Sequence, residues 1–141
     1  MPRHIAALEL LLLITTAAAE PTLHRPGTTT DFVARDVEVR EALAQDPAVV
    51  ILDVRTPAEY ASGHIPGALN IDVDDDSFAA RIAELDRSTR YLVHCSANVP
   101  EGRSARAMST MTKLGFERLG NLVGGYAAWT AADGPVVGDE D

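Results

Sequence analysis

Cys95, the one cysteine of this 141-residue sequence, stands where a thiol could act as a nucleophile. It ends an apolar run that begins at Tyr91, and a loop then leads to Gly102, Arg103 and Ser104 at the start of a helical pattern. A helix N-terminus offers free N–H donors and partial positive charge, which stabilise a thiolate and bind an anion. A lone cysteine ending an apolar strand is by default a small buried hydrophobe. The loop, the arginine and the helix that follow favour a reactive thiol.

A second polar group follows an earlier apolar run. Asp53 and Arg55 come at its end, and we predict that they form an ion pair near the site. A structural pair that holds the turn is the favoured interpretation, while Arg55 also helps to draw anions inward. His64 lies in a turn rich in Pro and Gly, where a hydrogen bond that stabilises the turn is favoured over catalysis.

His94 directly precedes the cysteine, so on a strand its side chain faces the opposite side, which argues against a general base. His64, His94 and Cys95 lack any recognisable ligand spacing. We therefore predict no metal site and no cofactor.

These residues must be positioned by alternating strands and helices. Apolar, mostly β-branched runs predict buried strands, and helical spacing, caps and Pro/Gly stops predict the helices between them. The predicted strands are 49–54, 68–71, 91–95 and 119–123, and the predicted helices are 36–44, one starting at Thr56-Pro57, 76–85, 103–114 and a short one carrying Trp129. Such alternation predicts an α/β fold, a mostly parallel sheet with helices on both faces, and a site beyond the carboxyl ends of the strands.

Three motifs resemble the rhodanese-like domain family in one order from about residue 36 to residue 129. They are Leu52-Asp53-Val54-Arg55-Thr56-Pro57-Ala58-Glu59-Tyr60 with Gly63-His64-Ile65-Pro66-Gly67-Ala68, then Cys95 with Gly102-Arg103-Ser104-Ala105-Arg106-Ala107, then Gly115-Phe116 and Asn121-Leu122-Val123-Gly124-Gly125-Tyr126-Ala127-Ala128-Trp129. The resemblance implies sulfur transfer, in which Cys95 takes the outer sulfur of a donor such as thiosulfate as a persulfide. A thiol, including a protein thiol, or cyanide would then accept that sulfur. By the same resemblance, Gly102, Arg103, Ser104 and Arg55 bind substrate, with Asp53 and His64 in support.

The loop after the cysteine departs from the family pattern. Seven residues separate Cys95 from Arg103, which is longer than the usual loop of the family. Glu101 adds a negative charge that opposes binding of dianions such as thiosulfate or phosphate. Glu101 also stands where the phosphatase signature has its arginine, which argues against a phosphatase.

Three functions stay open at this point. The leading one is a single-domain sulfurtransferase that uses a Cys95 persulfide. The second is a non-catalytic rhodanese-fold binding module or persulfide carrier that serves a partner protein, and the extended loop motivates it. The third is a cysteine-dependent phosphatase or arsenate reductase.

The N-terminus indicates export. Residues 1–19 have a basic start, an apolar run and small residues before Glu20, the pattern of a cleaved signal peptide. The alternative is an amphipathic helix of the domain, and the run is short for a permanent membrane span. We predict a leader over 20–34, the domain over 35–134, an acidic tail over 135–141, and a periplasmic or secreted location. The net charge of −9 argues against binding to nucleic acid or to an anionic membrane surface.

Overall fold

The computed structural model describes residues 30–33, 48–97 and 102–138. Strands and helices alternate through these residues, and their bounds follow in chain order. They are β1 (Thr30–Val33), β2 (Val49–Asp53), α1 (Pro57–Ser62), β3 (Leu69–Asn70), α2 (Phe78–Ala83), β4 (Arg90–His94), α3 (Arg103–Lys113), β5 (Leu119–Val123) and α4 (Gly125–Ala131).

The strands form one five-stranded sheet in the order β1-β5-β4-β2-β3, with every described pairing parallel. Leu92, in the middle of β4, pairs with Ile51 of β2 on one side and with Gly120 of β5 on the other. β2 and β4, both predicted as buried strands, therefore lie inside the sheet with a paired strand on each side. Because all strands run the same way, their carboxyl ends lie along one edge, as the α/β prediction required.

Two apolar clusters cover the two faces of this sheet. Alternation of side chains along β2 and β4 sends Leu52 and Val93 to one cluster and Ile51 and Leu92 to the other. The first cluster contains Phe78 and Ile82 of α2, Ala107 and Met111 of α3, and also Cys95. The second contains Trp129 of α4, with Tyr60 of α1 packed against it. The prediction of helices on both faces is confirmed.

Local sequence sets the ends of the helices next to the site. Thr56 caps α1 through a capping box in which its hydroxyl accepts the Glu59 N–H and the Glu59 carboxylate accepts the Thr56 N–H. Pro57 occupies the first turn of α1, where its missing N–H costs nothing. Gly115, with φ of 94°, follows the last turn of α3 in the left-handed conformation that favours glycine.

Two predicted boundaries need correction. Thr30–Val33, assigned to an extended leader outside the domain, form β1 and pair with β5. The start of the segment assigned to an acidic tail is also attached to the domain. There the Pro135 carbonyl accepts the Trp129 indole N–H at 2.8 Å, and Val137 pairs with His64. Short edge pairings of this kind leave almost no periodic signal in the sequence.

Several predictions lie outside the described residues. They are the signal peptide over 1–19, the leader before residue 30, the helix over 36–44, the loop residues 98–101 that include Glu101, and residues 139–141. Within the part of the chain that the structure describes, no helix has the length and apolar character needed to cross a membrane.

Candidate active site

Cys95 directly follows β4, at the carboxyl edge of the sheet. Its side chain belongs to the apolar cluster under α3 and is 3% exposed. The thiol donates a hydrogen bond to the Ala97 carbonyl at 3.0 Å. The thiol is therefore held by its own loop, and this hydrogen bond must break before the thiol can ionise.

The N-terminus of α4 orients the backbone of this loop. The Cys95 carbonyl accepts the Tyr126 N–H at 2.8 Å, and the Ser96 carbonyl accepts the Ala127 N–H at 2.9 Å. A trans peptide points its N–H opposite to its carbonyl, so the N–H groups of Ser96 and Ala97 point away from α4. Successive N–H groups turned the same way form the kind of concavity that binds anions.

Glycine is required where α4 meets the loop. Gly124 and Gly125 both have positive φ, at 78° and 63°. A Cβ at Gly125 would lie 2.6 Å from the Cys95 carbonyl oxygen and 3.0 Å from the Ala97 nitrogen. The Gly-Gly pair of the third motif therefore lets α4 approach the cysteine loop closely enough for both hydrogen bonds.

Glu59, which sequence reasoning passed over, joins three elements at this edge. Its carboxylate accepts a fork of hydrogen bonds from Arg103, with Nη1–Oε1 at 2.6 Å and Nη2–Oε2 at 3.1 Å. Ser96 donates to the Glu59 Oε2 at 2.7 Å and accepts from Arg103 Nη2. The start of α1, the cysteine loop and the start of α3 are thereby linked. The signal that could have revealed Glu59 was its capping-box spacing from Thr56, which fixes its carboxylate at the start of α1.

The electrostatics follow from this fork. The Arg103 guanidinium lowers the pKa of Glu59 far below its ordinary value, with smaller contributions from Ser96 and Thr56 against the opposing effect of burial. The hydrogen bonds to Glu59 raise the pKa of Arg103, and Cys95 and Asp74 add weaker electrostatic contributions. Arg103 thus lies at the start of α3 as predicted, with its charge already paired.

The predicted ion pair of Asp53 and Arg55 is confirmed. Arg55 Nη2 lies 2.6 Å from Asp53 Oδ2, and Nε lies 2.9 Å from Oδ1. Nη2 also donates to the Gly63 carbonyl, and the guanidinium lies 4.1 Å from the Tyr126 ring centroid. Arg55 is 4% exposed, in line with the structural pair that the sequence favoured, and its additional role in drawing anions inward stays a prediction. The buried carboxylate of Asp53 neutralises the Arg55 guanidinium, which leaves little net positive charge to attract an anion.

His94 faces away from the thiol, as predicted. It is fully buried on the side of the Asp53–Arg55 pair, where its Nδ1 lies 3.1 Å from the Cys95 carbonyl and its Nε2 lies 3.9 Å from Asp53 Oδ2. A carbonyl partner assigns the proton to Nδ1. Nε2 has no hydrogen-bond partner among the described residues. Burial has the largest effect and lowers the pKa of His94; Asp53 and the Cys95 carbonyl oppose it, and Arg55 adds the smallest effect, in the same direction as burial.

The remaining predicted residues divide between the site and the turn. Gly102 is the N-cap of α3 in an extended conformation, and Ser104 is buried within the first turn of that helix. His64 stacks on the Tyr60 ring with centroids 3.6 Å apart, and its Nδ1 lies 2.8 Å from the Tyr60 carbonyl. His64 therefore holds the turn between α1 and β3, in line with the structural role favoured for it.

Similarity to known proteins identifies the family of the chain. A family model described as a rhodanese-like domain covers residues 36–132. The chain belongs to the rhodanese-like domain family. This rhodanese-like chain is 32% identical over 100 residues to a sulfurtransferase of Allochromatium vinosum, covering 71% of this chain and 89% of that protein. It is also 32% identical over 88 residues to thiosulfate sulfurtransferase 16, chloroplastic, of Arabidopsis thaliana, covering 55% of this chain and 71% of that protein.

Solved structures agree on the rhodanese fold. The solution structure of the rhodanese-like domain of the Alr3790 protein from Anabaena sp. has a TM-score of 0.66 at 30% identity, covering 79% of this chain and 80% of that one. The similarities support a rhodanese-type sulfurtransferase in general terms, a class whose substrates are a sulfur donor and an acceptor.

Proposed function

We propose that this protein is an exported sulfurtransferase that carries sulfane sulfur on Cys95. In the first step the Cys95 thiolate attacks the outer sulfur of a donor such as thiosulfate. A new S–S bond forms, the S–S bond of thiosulfate breaks, and sulfite leaves with the bonding electron pair. In the second step an acceptor thiolate or cyanide attacks the outer sulfur of the persulfide, and the Cys95 thiolate is regenerated.

The observation that carries this proposal is the orientation of the loop after β4. The N–H groups at the start of α4 donate to the carbonyls of Cys95 and Ser96. The N–H groups of Ser96 and Ala97 therefore point to the other side of the loop, where they can donate to an anion. The start of α3, capped by Gly102 without a side-chain hydrogen bond, adds further donors at the same edge. A persulfide anion attached to Cys95 needs such donors.

A second candidate function is a persulfide carrier or binding module. It is favoured by the 3% exposure of Cys95 and by the hydrogen bond from its thiol to the Ala97 carbonyl, since both limit the access of a small sulfur donor to the thiol. In that case a partner protein would have to displace the Ala97 carbonyl before sulfur could reach Cys95.

Intact-mass measurement of the protein before and after thiosulfate tests the proposal. With one cysteine in the chain, a gain of one sulfur atom that disappears in Cys95→Ser places the sulfur on Cys95. Turnover with cyanide or a thiol acceptor would then support the enzyme. No gain from thiosulfate or from any persulfide, in a folded protein with a free thiol, would favour the binding module. Turnover of an aryl phosphate or of arsenate that Cys95→Ser abolishes would instead favour the third alternative.

Export is a separate part of the proposal, and it is supported by the sequence of residues 1–19 alone. Expression of the full chain in a bacterial host, followed by fractionation, tests it. We expect a mature protein that begins at Glu20 in the exported fraction. Retention of an intact Met1 terminus in the cytosolic fraction would contradict export.

A further inference from the structure

Arginines at the carboxyl edge of the sheet are already paired with carboxylates. In each pair a guanidinium nitrogen lies less than 3 Å from a carboxylate oxygen. The pairs are Arg55–Asp53 at 2.6 Å, Arg103–Glu59 at 2.6 Å and Arg106–Asp74 at 2.8 Å. An anion that approaches Cys95 therefore meets these cations with their charge largely neutralised, which weakens attraction most for the anion of highest charge.

Among these pairs, Arg103–Glu59 acts most directly on the cysteine. Arg103 begins the helix that follows the cysteine loop, and it also donates to Ser96, the residue next to Cys95. Its partner is held before any substrate arrives, because the Thr56 N–H and hydroxyl donate to Glu59 Oε1 at 3.3 and 3.1 Å. The low pKa of Glu59 keeps its carboxylate charged at any physiological pH.

We propose that Glu59 is a specificity-determining residue, which neutralises Arg103 and so selects organic hydropersulfides of low charge over the thiosulfate dianion as sulfur donors. This inference rests on the proposed sulfur transfer to Cys95. A dianion gains more than a hydropersulfide from an uncompensated positive charge beside the nucleophile, whereas the N–H donors of the loop can hold either donor.

The step with such a donor balances without a further reactant. The Cys95 thiolate attacks the outer sulfur of R–S–SH, forming a Cys95–S–SH bond while the R–S bond to that sulfur breaks. The leaving thiolate R–S⁻ carries the electron pair and the negative charge away. No net oxidation or reduction occurs, because one persulfide replaces another.

Glu59→Gln tests the selection. Glutamine keeps the size of the side chain and can still accept in the capping box, but it removes the charge that neutralises Arg103. Glu117→Gln is the matched control, since Glu117 is exposed and lies just before the amino end of β5, at the edge of the sheet opposite Cys95. Both variants change the net charge equally. The measurement is the rate of sulfur addition to Cys95 at increasing concentrations of thiosulfate and of the hydropersulfide of β-mercaptoethanol.

We expect Glu59→Gln to lower the KM for thiosulfate by about tenfold, from the Coulomb energy of one unit charge and a dianion about 6 Å apart in water. That gain should shrink as salt is added, because a solvent-accessible charge is screened. The KM for the hydropersulfide should change much less, so the kcat/KM ratio of thiosulfate to hydropersulfide should rise by about tenfold, even though the altered fork lowers the maximal rate with both donors. Glu117→Gln should match the wild type with both donors.

The outcomes separate this inference from the proposed function. Sulfur addition to wild-type Cys95 with an unchanged or higher thiosulfate KM in Glu59→Gln would overturn the role of Glu59 and leave sulfur transfer intact. Equal loss of activity with both donors would also overturn it, since Glu59 would then only hold the loop. Absence of sulfur addition from either donor in the wild type would overturn the proposed function and this inference with it.

Discussion

The backbone N–H of Tyr126 donates to the carbonyl of Cys95 at 2.8 Å, so the first turn of α4 holds the residue to which we assign sulfur transfer. The contact joins the last predicted motif of the chain to the cysteine loop. It exists only because Gly124 and Gly125 take positive φ angles that bring α4 against the loop. The two glycines are thus part of the site although neither has a side chain.

Gly125→Ala should therefore destabilise the protein and impair sulfur transfer together. The new methyl would meet the Cys95 carbonyl at 2.6 Å while the backbone stays in the left-handed region, a combined cost of about 2–5 kcal/mol. Gly67→Ala is the control, because Gly67 also has positive φ but its methyl would meet nothing within 4 Å. That variant should lose only about 1–2 kcal/mol and keep normal sulfur addition. Urea unfolding measures the stability of each variant, and intact mass measures its sulfur addition. Equal sulfur addition by the two variants would contradict the role of Gly125.

Asp53→Asn should be among the most damaging single changes in the domain. It leaves the Arg55 guanidinium buried at 4% exposure without its counter-charge, which costs about 3–5 kcal/mol. Asp74→Asn removes the carboxylate of an ion pair that is about half exposed, and its effect on the free energy of unfolding should be much smaller. Urea midpoints of the two variants measure the difference, and similar midpoints would show that Arg55 finds another partner.

His94 should make the protein less stable as the pH falls from 7 toward 5. Its pKa is lowered in the folded state, so the unfolded chain binds a proton below about pH 6.5 that the folded protein resists. Stability is full above that pH and declines below it by at most about 1.4 kcal/mol per pH unit. His94→Gln removes the titration, so its free energy of unfolding should change less across the same range. An unchanged slope in the variant would assign the effect to another group.

Arg103→Lys should impair sulfur transfer more than stability. A lysine ammonium cannot reproduce the fork that binds both Glu59 oxygens and Ser96, so the cysteine loop loses its link to α1. Because the pair is partly exposed, the loss of unfolding free energy should stay below about 1 kcal/mol. The second-order rate of sulfur addition should fall by about tenfold or more through misplacement of the loop. Steady-state kinetics beside urea unfolding separates the two effects, and a normal rate would show that the fork does not position the loop.

The central fold follows from local patterns in the sequence. Continuous apolar runs predicted β2, β4 and β5, and their parallel order follows from the helices between them. The capping box at Thr56 and the glycine after α3 are equally local signals. β1 escaped prediction because its four residues gain their place only by pairing with β5.

The sequence by itself determined the α/β class, the position of Cys95 at a strand end and the pairing of Asp53 with Arg55. Each of these depends on neighbours within a few positions along the chain, so periodicity, caps and charge spacing carry them. The tertiary structure alone decided that Glu59 holds Arg103, that α4 holds the Cys95 carbonyl, and that Arg55 points inward. Those contacts join residues that are 44 and 31 positions apart, or depend on burial, and are fixed only when the helices pack on the sheet.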